Sequence, residues 1–166
     1  DKTIVRFGLG YAPNDGQALY QFLRDKGYNQ QELDASGLFK RSQSGRIYCL
    51  FWKRVMTPIF DLRGNIIAFG GRVLDDSKPK YVNSPETLVY HKSETVFALQ
   101  IAKKSASRRF VLCEGYMDVI SMQQAGIDTA VCACGTALTP EQVRLISEYA
   151  DEVILSYDSD EAGQKA

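Results

Sequence analysis

The last third of the chain repeats one plan three times, and that repeat limits the folds open to it more than any other feature. "RRFVLCEGYMDVISMQQAG", residues 108–126, reads as a strand over 109–113, a Glu114-Gly115 joint, and a helix through Ala125. "DTAVCACGTALTPEQVRLISEYA" follows with a strand over 129–134, a Gly135-Thr136 turn and a helix from 140, where Thr139 caps, Pro140 takes the first helical position and Gln142 completes a capping box. "DEVILSYDSDEAGQKA" opens a third unit, with a strand over 152–157 and a helix beginning at 161. Strand–helix–strand with short joints predicts parallel strands and right-handed crossovers. In such sheets the ligand site lies at the carboxyl ends of the strands.

The acids fall at those ends. Glu114 closes the first strand, and Asp158 and Asp160 close the third. Carboxylates gathered at one edge repel unless a cation neutralises them, and oxygen ligands of this kind suit Mg²⁺. A D-x-D on extended backbone turns both carboxylates to one side, so the pair can share a metal or hold two. Alone, D-x-D says little. A Glu-Gly after one strand, a Gly-Thr after the next and a D-x-D after the third say much more.

The formal net charge of zero hides a division. Residues 1–39 carry four Lys/Arg and five Asp/Glu; residues 40–109 carry fourteen and five; residues 110–166 carry two and ten. Blocks of like charge seek partners of opposite sign. Either the two blocks face each other inside the fold, or a phosphate-binding half stands beside a cation-binding half. Cys49, Cys113, Cys132 and Cys134 form no C-x-x-C pair, and with a single histidine they lack normal zinc-ligand spacing. They read as buried thiols of a reducing compartment. A hydrophobic content of 45% is too scattered to span a bilayer, and the charged "DKTIVRFGLG" start is unlike a signal peptide.

Upstream, "DGQALYQFLRDKG" has helical apolar spacing at Ala18, Leu19, Phe22 and Leu23, and "NQQELDASG" offers Asn29 as a cap with Glu32 three residues on. "RIYCLFWKRVMTPIFDLRGNIIAFGGRVL" is rich in β-branched and aromatic residues, which predicts strands around 46–51, 58–61 and 66–74, with turns at Thr57-Pro58 and at Arg63-Gly64-Asn65. Gly70-Gly71 marks a bulge or a close approach, and Arg72 beside it can reach a phosphate past no intervening side chain. An Arg on a solvated edge strand is the plainer alternative. "KPKYVNSPETLVYHKSE" reads as a long loop whose lysines, with Tyr81 and Tyr90, suit the phosphates and bases of a single strand, or else simply solvate a surface. His91 has no Ser or Cys arranged around it and is not read as catalytic.

"CEGYMDVI", "GTALT" and "YDSDEAGQKA" together resemble the Toprim domain shared by bacterial primases, type IA and type II topoisomerases and some nucleases. "RFGLGYAP", "RVMTPI", "FGGRVL", "PKYVNSPET" and "YHK" narrow the likeness to the catalytic core of DnaG-type bacterial primases, from Arg6 to Ala166. Departures are Ser159 where Gly is frequent, Thr57 and Phe60 in place of Phe and Arg, and Cys132 and Cys134 before "GTALT".

The resemblance implies an α/β fold: an α+β basic subdomain over residues 1–106, then the first βα units of a Toprim domain over 107–166 with a parallel sheet. It implies RNA primer synthesis on a single-stranded DNA template by metal-dependent nucleotidyl transfer from NTPs. Glu114, Asp158 and Asp160 are then the metal and catalytic acids, holding Mg²⁺ or Mn²⁺. Arg6, Arg72, Lys80, Asn83 and Lys92 are the nucleotide and DNA contacts. A third acidic cluster, a zinc domain before this segment and a helicase-binding domain after it belong to the same picture, with a cytoplasmic, membrane-free setting and a monomer whose unfinished sheet can associate at its edge. The segment by itself is expected to be inactive. Another Toprim enzyme, such as a nuclease or topoisomerase fragment, and a non-catalytic nucleic-acid-binding module are the competing readings.

Overall fold

The computed structural model describes residues 2–134 and 137–158. The Gly135-Thr136 turn, Asp160 and the helix expected from 161 lie outside the described residues. The chain divides into two compact units, one of Ile4–Pro58 with Ala68–Tyr90, the other holding Ile59–Ile67 and the described residues from His91 on.

The first unit is built on α1 (Lys2–Phe7), β1 (Gly10–Ala12), α2 (Ala18–Asp25), α3 (Gln30–Ala35), β2 (Phe39–Arg41), β3 (Ile47–Cys49), β4 (Arg54–Phe60), β5 (Ile66–Arg72) and β6 (Tyr81–Asn83). Its main sheet has the order β1-β4-β5-β6, while β2 and β3 form a separate antiparallel pair. The α3 cap forms as expected: Asn29 Oδ1 accepts from Glu32 N–H at 3.0 Å, and Glu32 Oε2 accepts from Asn29 N–H at 2.7 Å. Two expectations fail here. Thr57-Pro58 is no turn but lies inside β4, past the last β1 partner at Gly10↔Met56, so proline's missing N–H costs that ladder nothing. The long loop after Arg72 also contains a strand, since β6 pairs antiparallel with β5 through Gly70↔Asn83 and Arg72↔Tyr81. Three residues are too short a run for alternation to reveal.

The second unit contains β7 (Val96–Phe97), α4 (Leu99–Ala102), β8 (Arg109–Cys113), α5 (Tyr116–Gln124), β9 (Ala130–Ala133), α6 (Pro140–Ser147) and β10 (Glu152–Ser156). The sheet order is β10-β8-β9-β7. β8 pairs parallel with both β10 and β9, as the strand–helix repeat predicts, and β7 adds an antiparallel edge. Leu99, Ala102, Phe110, Leu112, Val131 and Ile146 form the buried core, and Leu62 from the β4–β5 turn packs against it. Lys103 Nζ ties that turn down by donating to the Leu62 carbonyl at 2.7 Å. All of β9 is buried, whereas Val153, Ile154 and Leu155 of β10 are 41–64% exposed. β10 pairs only with β8 among the described residues.

At the junction of the basic and acidic blocks, Arg108 meets Asp151 at 2.8 Å and Arg109 meets Glu152 at 2.6 Å, so the last two cations of the basic block pair with acids of the acidic one within this unit.

Gly71 carries a packing demand that gives a direct test. A Cβ there would lie 2.9 Å from Phe51 Cδ1 and 3.1 Å from Arg54 Cδ, both in the buried heart of the first unit. Gly71→Ala should destabilise by about 1–3 kcal/mol through overpacking. Gly10→Ala, with nothing within 4 Å of the added carbon, should change stability by no more than about 0.5 kcal/mol. Denaturant melts of the two variants that coincide would contradict this packing account.

Candidate metal site and basic hairpin

The parallel ladder between β8 and β10 runs from Arg109↔Glu152 to Cys113↔Ser156. Glu114 follows the last paired residue of β8 immediately, and Asp158 follows that of β10 by two positions. The Asp158 N–H donates to Glu114 Oε2 at 3.2 Å, so the two acids share one corner of the sheet. Both are exposed. Exposed carboxylates are the donor chemistry a hard divalent cation takes. Among the described residues no group of three or more His, Cys, Asp or Glu is arranged to hold a metal ion. Glu114 and Asp158 therefore fit as part of an oxygen-ligand set, with Asp160 outside the described residues.

A third carboxylate, which sequence reasoning did not pick out, adjoins them. Asp118 sits one turn into α5, and its Oδ2 accepts the Gly115 N–H at 3.0 Å. Gly115 is the N-cap of α5 and has no side chain to cap with, so the aspartate at the third helical position does the capping. Asp118 and Asp158 line a shallow groove of about 310 Å³ with Ser121, Met122, Ala125, Ser156 and Tyr157. The signal was present in "EGYMD", where the second acid follows the first by four positions, about one helical turn, and so comes back over the strand end.

Beneath these acids lie thiols. Cys113 and Cys132 are paired residues of adjacent strands, and both are buried. Burial, reinforced by Asp118, pushes the Cys113 thiol up to about 11. Burial pushes Cys132 well above its ordinary value too, with Cys134, Cys113 and Asp118 adding to the effect. Tyr157 is raised by burial first, then by Cys132, Glu114 and Cys113. These thiols stay protonated at neutral pH and serve as packing rather than as nucleophiles.

The basic residues fall on several elements. Arg72, Lys80 and Asn83 share the β5–β6 hairpin, whose ladder continues past Arg72↔Tyr81 with Val73 N–H donating to the Lys80 carbonyl at 3.1 Å. The Arg72 guanidinium lies over the Tyr81 ring, 5.4 Å from its centroid, which fixes a planar cation beside a half-exposed aromatic face. Lys80 is exposed. Arg6 is exposed in the last turn of α1, and Lys92 opens the 3-10 turn Lys92–Glu94 of the second unit. Glu114 and Asp158 are thus brought together, as are Arg72, Lys80 and Asn83, while Arg6 and Lys92 stand on elements of their own.

Two readings of this region change. Tyr90 is fully buried and cannot stack a base. The close approach at Gly71 is made by the side chains of Phe51 and Arg54 rather than by another backbone. Arg54 is the residue that pattern reading missed: it is 4% exposed, and its guanidinium donates to the Pro79 carbonyl at 2.9 Å and the Lys80 carbonyl at 3.3 Å. Burial lowers its pKa. It holds the backbone of the Lys80 loop, a role that only the fold reveals.

The description "DNA primase catalytic core, N-terminal domain" matches residues 1–103, and "Toprim-like" matches residues 111–166. A DNA primase of Clostridium acetobutylicum is 48% identical over 166 residues, covering 99% of this chain and 28% of that protein. Two solved structures superpose across 99% of the chain. One is the DnaG primase catalytic domain bound to ssDNA, with a TM-score of 0.89, 39% identity and 54% of its length covered. The other is the E. coli primase catalytic core, with a TM-score of 0.89, 40% identity and 53% covered. The chain therefore spans just over a quarter of the curated relative's length and about half of each solved core.

The buried thiol makes a pH prediction. Above the ordinary thiol value of 9.0 the unfolded chain ionises Cys113, while the folded chain holds it neutral to about 11. Its contribution to stability is fully present below 9.0 and should be lost as pH rises towards 11. The unfolding free energy of the wild-type protein should fall more steeply over that window than that of Cys113→Ala; parallel profiles would contradict a neutral, buried thiol.

Proposed function

The chain belongs to the family of DnaG-type DNA primase catalytic cores, and from that premise we propose that it is part of a nucleotidyltransferase that makes RNA primers on single-stranded DNA. The observation that carries the proposal is the convergence of Glu114 and Asp158 at the carboxyl edge of a parallel sheet. The reaction joins the 3′-hydroxyl of the growing primer to the α-phosphorus of an incoming NTP. The new P–O bond forms as the bond to the β-phosphate bridge breaks, pyrophosphate leaves, and the hydroxyl proton passes to solvent or base.

Glu114, Asp158 and Asp160 are the proposed ligands of Mg²⁺ or Mn²⁺. Bound there, such cations would lower the charge on the phosphates and favour ionisation of the attacking hydroxyl. The chain's own residues hold and orient. Arg72 and Lys80 offer charge to the triphosphate from one hairpin, and the Tyr81 face keeps the Arg72 guanidinium from sweeping solvent. Arg6, Asn83 and Lys92 are assigned to nucleotide or template phosphates.

The domain boundary near residue 106 is part of the same proposal, with the basic subdomain before it and the Toprim domain after it. A cytoplasmic setting, a zinc domain and a helicase-binding domain elsewhere in the full-length protein, and a monomeric enzyme complete the reading. The resemblance assigns the metals a third acidic cluster besides Glu114, Asp158 and Asp160, so the 166-residue segment by itself is proposed to be inactive.

The test is primer synthesis from NTPs on single-stranded template by the full-length protein. Glu114→Gln and Asp158→Asn should each lower the rate at least about 100-fold, the scale of losing a metal ligand at a phosphoryl-transfer site. Rates within a few-fold of wild type would contradict the proposal, and cleavage of DNA without synthesis would move the chain to a nuclease reading. Arg72→Ala and Lys80→Ala should weaken nucleotide binding more than single-strand binding; equal losses would count against their assigned roles. Template-dependent RNA from the isolated segment would overturn the inactivity proposed for it.

A further inference from the structure

Gln142 is a fully buried polar side chain in the second unit, and helix capping accounts for only part of its bonding. As the third residue of α6 it completes the capping box, with Oε1 accepting the Thr139 N–H at 3.0 Å and its own N–H donating to Thr139 Oγ1 at 3.1 Å. Both amide protons of Nε2 are left over, and neither serves the helix. One donates to the Lys92 carbonyl at 2.8 Å and the other to the Thr95 carbonyl at 2.8 Å. The capping threonine does the same, since Thr139 Oγ1 donates to the Ser93 carbonyl.

A cap needs acceptors for the orphan N–H groups of a helix start; it has no need of donors aimed elsewhere. Here three donors leave the cap and engage three carbonyls of one short stretch, Lys92, Ser93 and Thr95. That stretch is a single 3-10 turn, whose own backbone bonds are Glu94 N–H to His91 O at 3.1 Å and a long Thr95 N–H to Lys92 O at 3.4 Å. Thr95 Oγ1 closes the same turn by donating to the His91 carbonyl at 2.7 Å, and the three donors from the α6 cap then fix the turn, with Lys92 on it, against the helix start.

We propose that Gln142 is a positioning residue for Lys92: the buried amide clamps the turn that presents the lysine, so the geometry of the Lys92 phosphate contact depends on a side chain that never meets the substrate. The inference rests on the assignment of Lys92 to a nucleotide or template phosphate. Chemically it requires two N–H donors at one buried point, which glutamine and asparagine supply, and asparagine is one methylene too short to serve from this helix position.

The experiment is a double-mutant cycle in the full-length protein, reading the KM for NTPs in primer synthesis and the Kd for a labelled single-stranded oligodeoxynucleotide. Gln142→Glu keeps the acceptor for the Thr139 N–H and loses both donors; Gln142→Met, of similar size, loses acceptor and donors together and stands in if the carboxylate fails to fold. Lys92→Ala should raise one of the two constants. Gln142→Glu or Gln142→Met should raise the same constant by about fivefold or more, the scale of coupling within one hydrogen-bond network. In a Lys92→Ala background the Gln142 change should move neither. Multiplying losses in the double variant would overturn the proposal and leave Gln142 a stabilising cap only. Folded Gln142 variants with wild-type constants, while Lys92→Ala is impaired, would overturn it alone. No effect of Lys92→Ala would overturn both the proposal and the assignment on which it rests.

Discussion

The register of β10 against β8 is the constraint on which the candidate site depends. With Cys113 opposite Ser156, the residues just beyond the ladder are Glu114 and, two positions on, Asp158, and a backbone N–H of one strand end bonds a carboxylate of the other. A slip of one residue would turn every side chain of β10 over and separate the acids. Little packing on β10 itself prevents that slip, because its central residues are exposed. Alignment comes instead from the ladder and from Arg109 and Glu152, a directly paired couple bonded at the opposite end of the same two strands. β8 is fixed more firmly, being sandwiched between strands with Phe110 and Leu112 in the core.

A second principle is that charged groups are placed through backbone carbonyls. Arg54 is buried in the first unit and grips Pro79 and Lys80 by their carbonyls, while Gln142 is buried in the second and grips Lys92 and Thr95 in the same manner. Each leaves its lysine's side chain unengaged by the clamp. A lysine is a flexible point charge, and fixing its backbone is the economical way to limit where that charge can go. Unsatisfied buried donors are costly, so such clamps tolerate few alternative arrangements.

Periodicity and caps made much of this legible in the sequence. The strands β8, β9 and β10 of the second unit, their parallel sense, the Asn29 and Thr139 caps and the placing of Glu114 and Asp158 at the strand ends all follow from local patterns that the fold keeps. What stayed hidden needs tertiary contacts. Tyr90 and Tyr81 look alike in a loop rich in lysine, yet one is core and the other lies under Arg72. Pro58 reads as a turn residue until β1 is seen to end before it. Asp118 reads as an ordinary first-turn acid until Gly115 proves to lack any other cap. β6 and β7 are too short to carry a pattern. Arg108 and Arg109 meet Asp151 and Glu152 where the two charge blocks adjoin, pairings set by strand order rather than by sequence proximity.

The central claim is that Glu114 and Asp158 hold a divalent cation together. Mn²⁺ titration of the full-length protein, followed by the electron paramagnetic resonance of free Mn²⁺, measures this without any reaction taking place. Glu114→Gln and Asp158→Asn should each weaken the tightest site by at least about tenfold, as expected when a direct ligand is lost, and combining them should leave no binding at that site. Wild-type Mn²⁺ affinity in the Glu114→Gln, Asp158→Asn double variant would contradict the account, because the corner where β8 and β10 end would then not be where the metal sits.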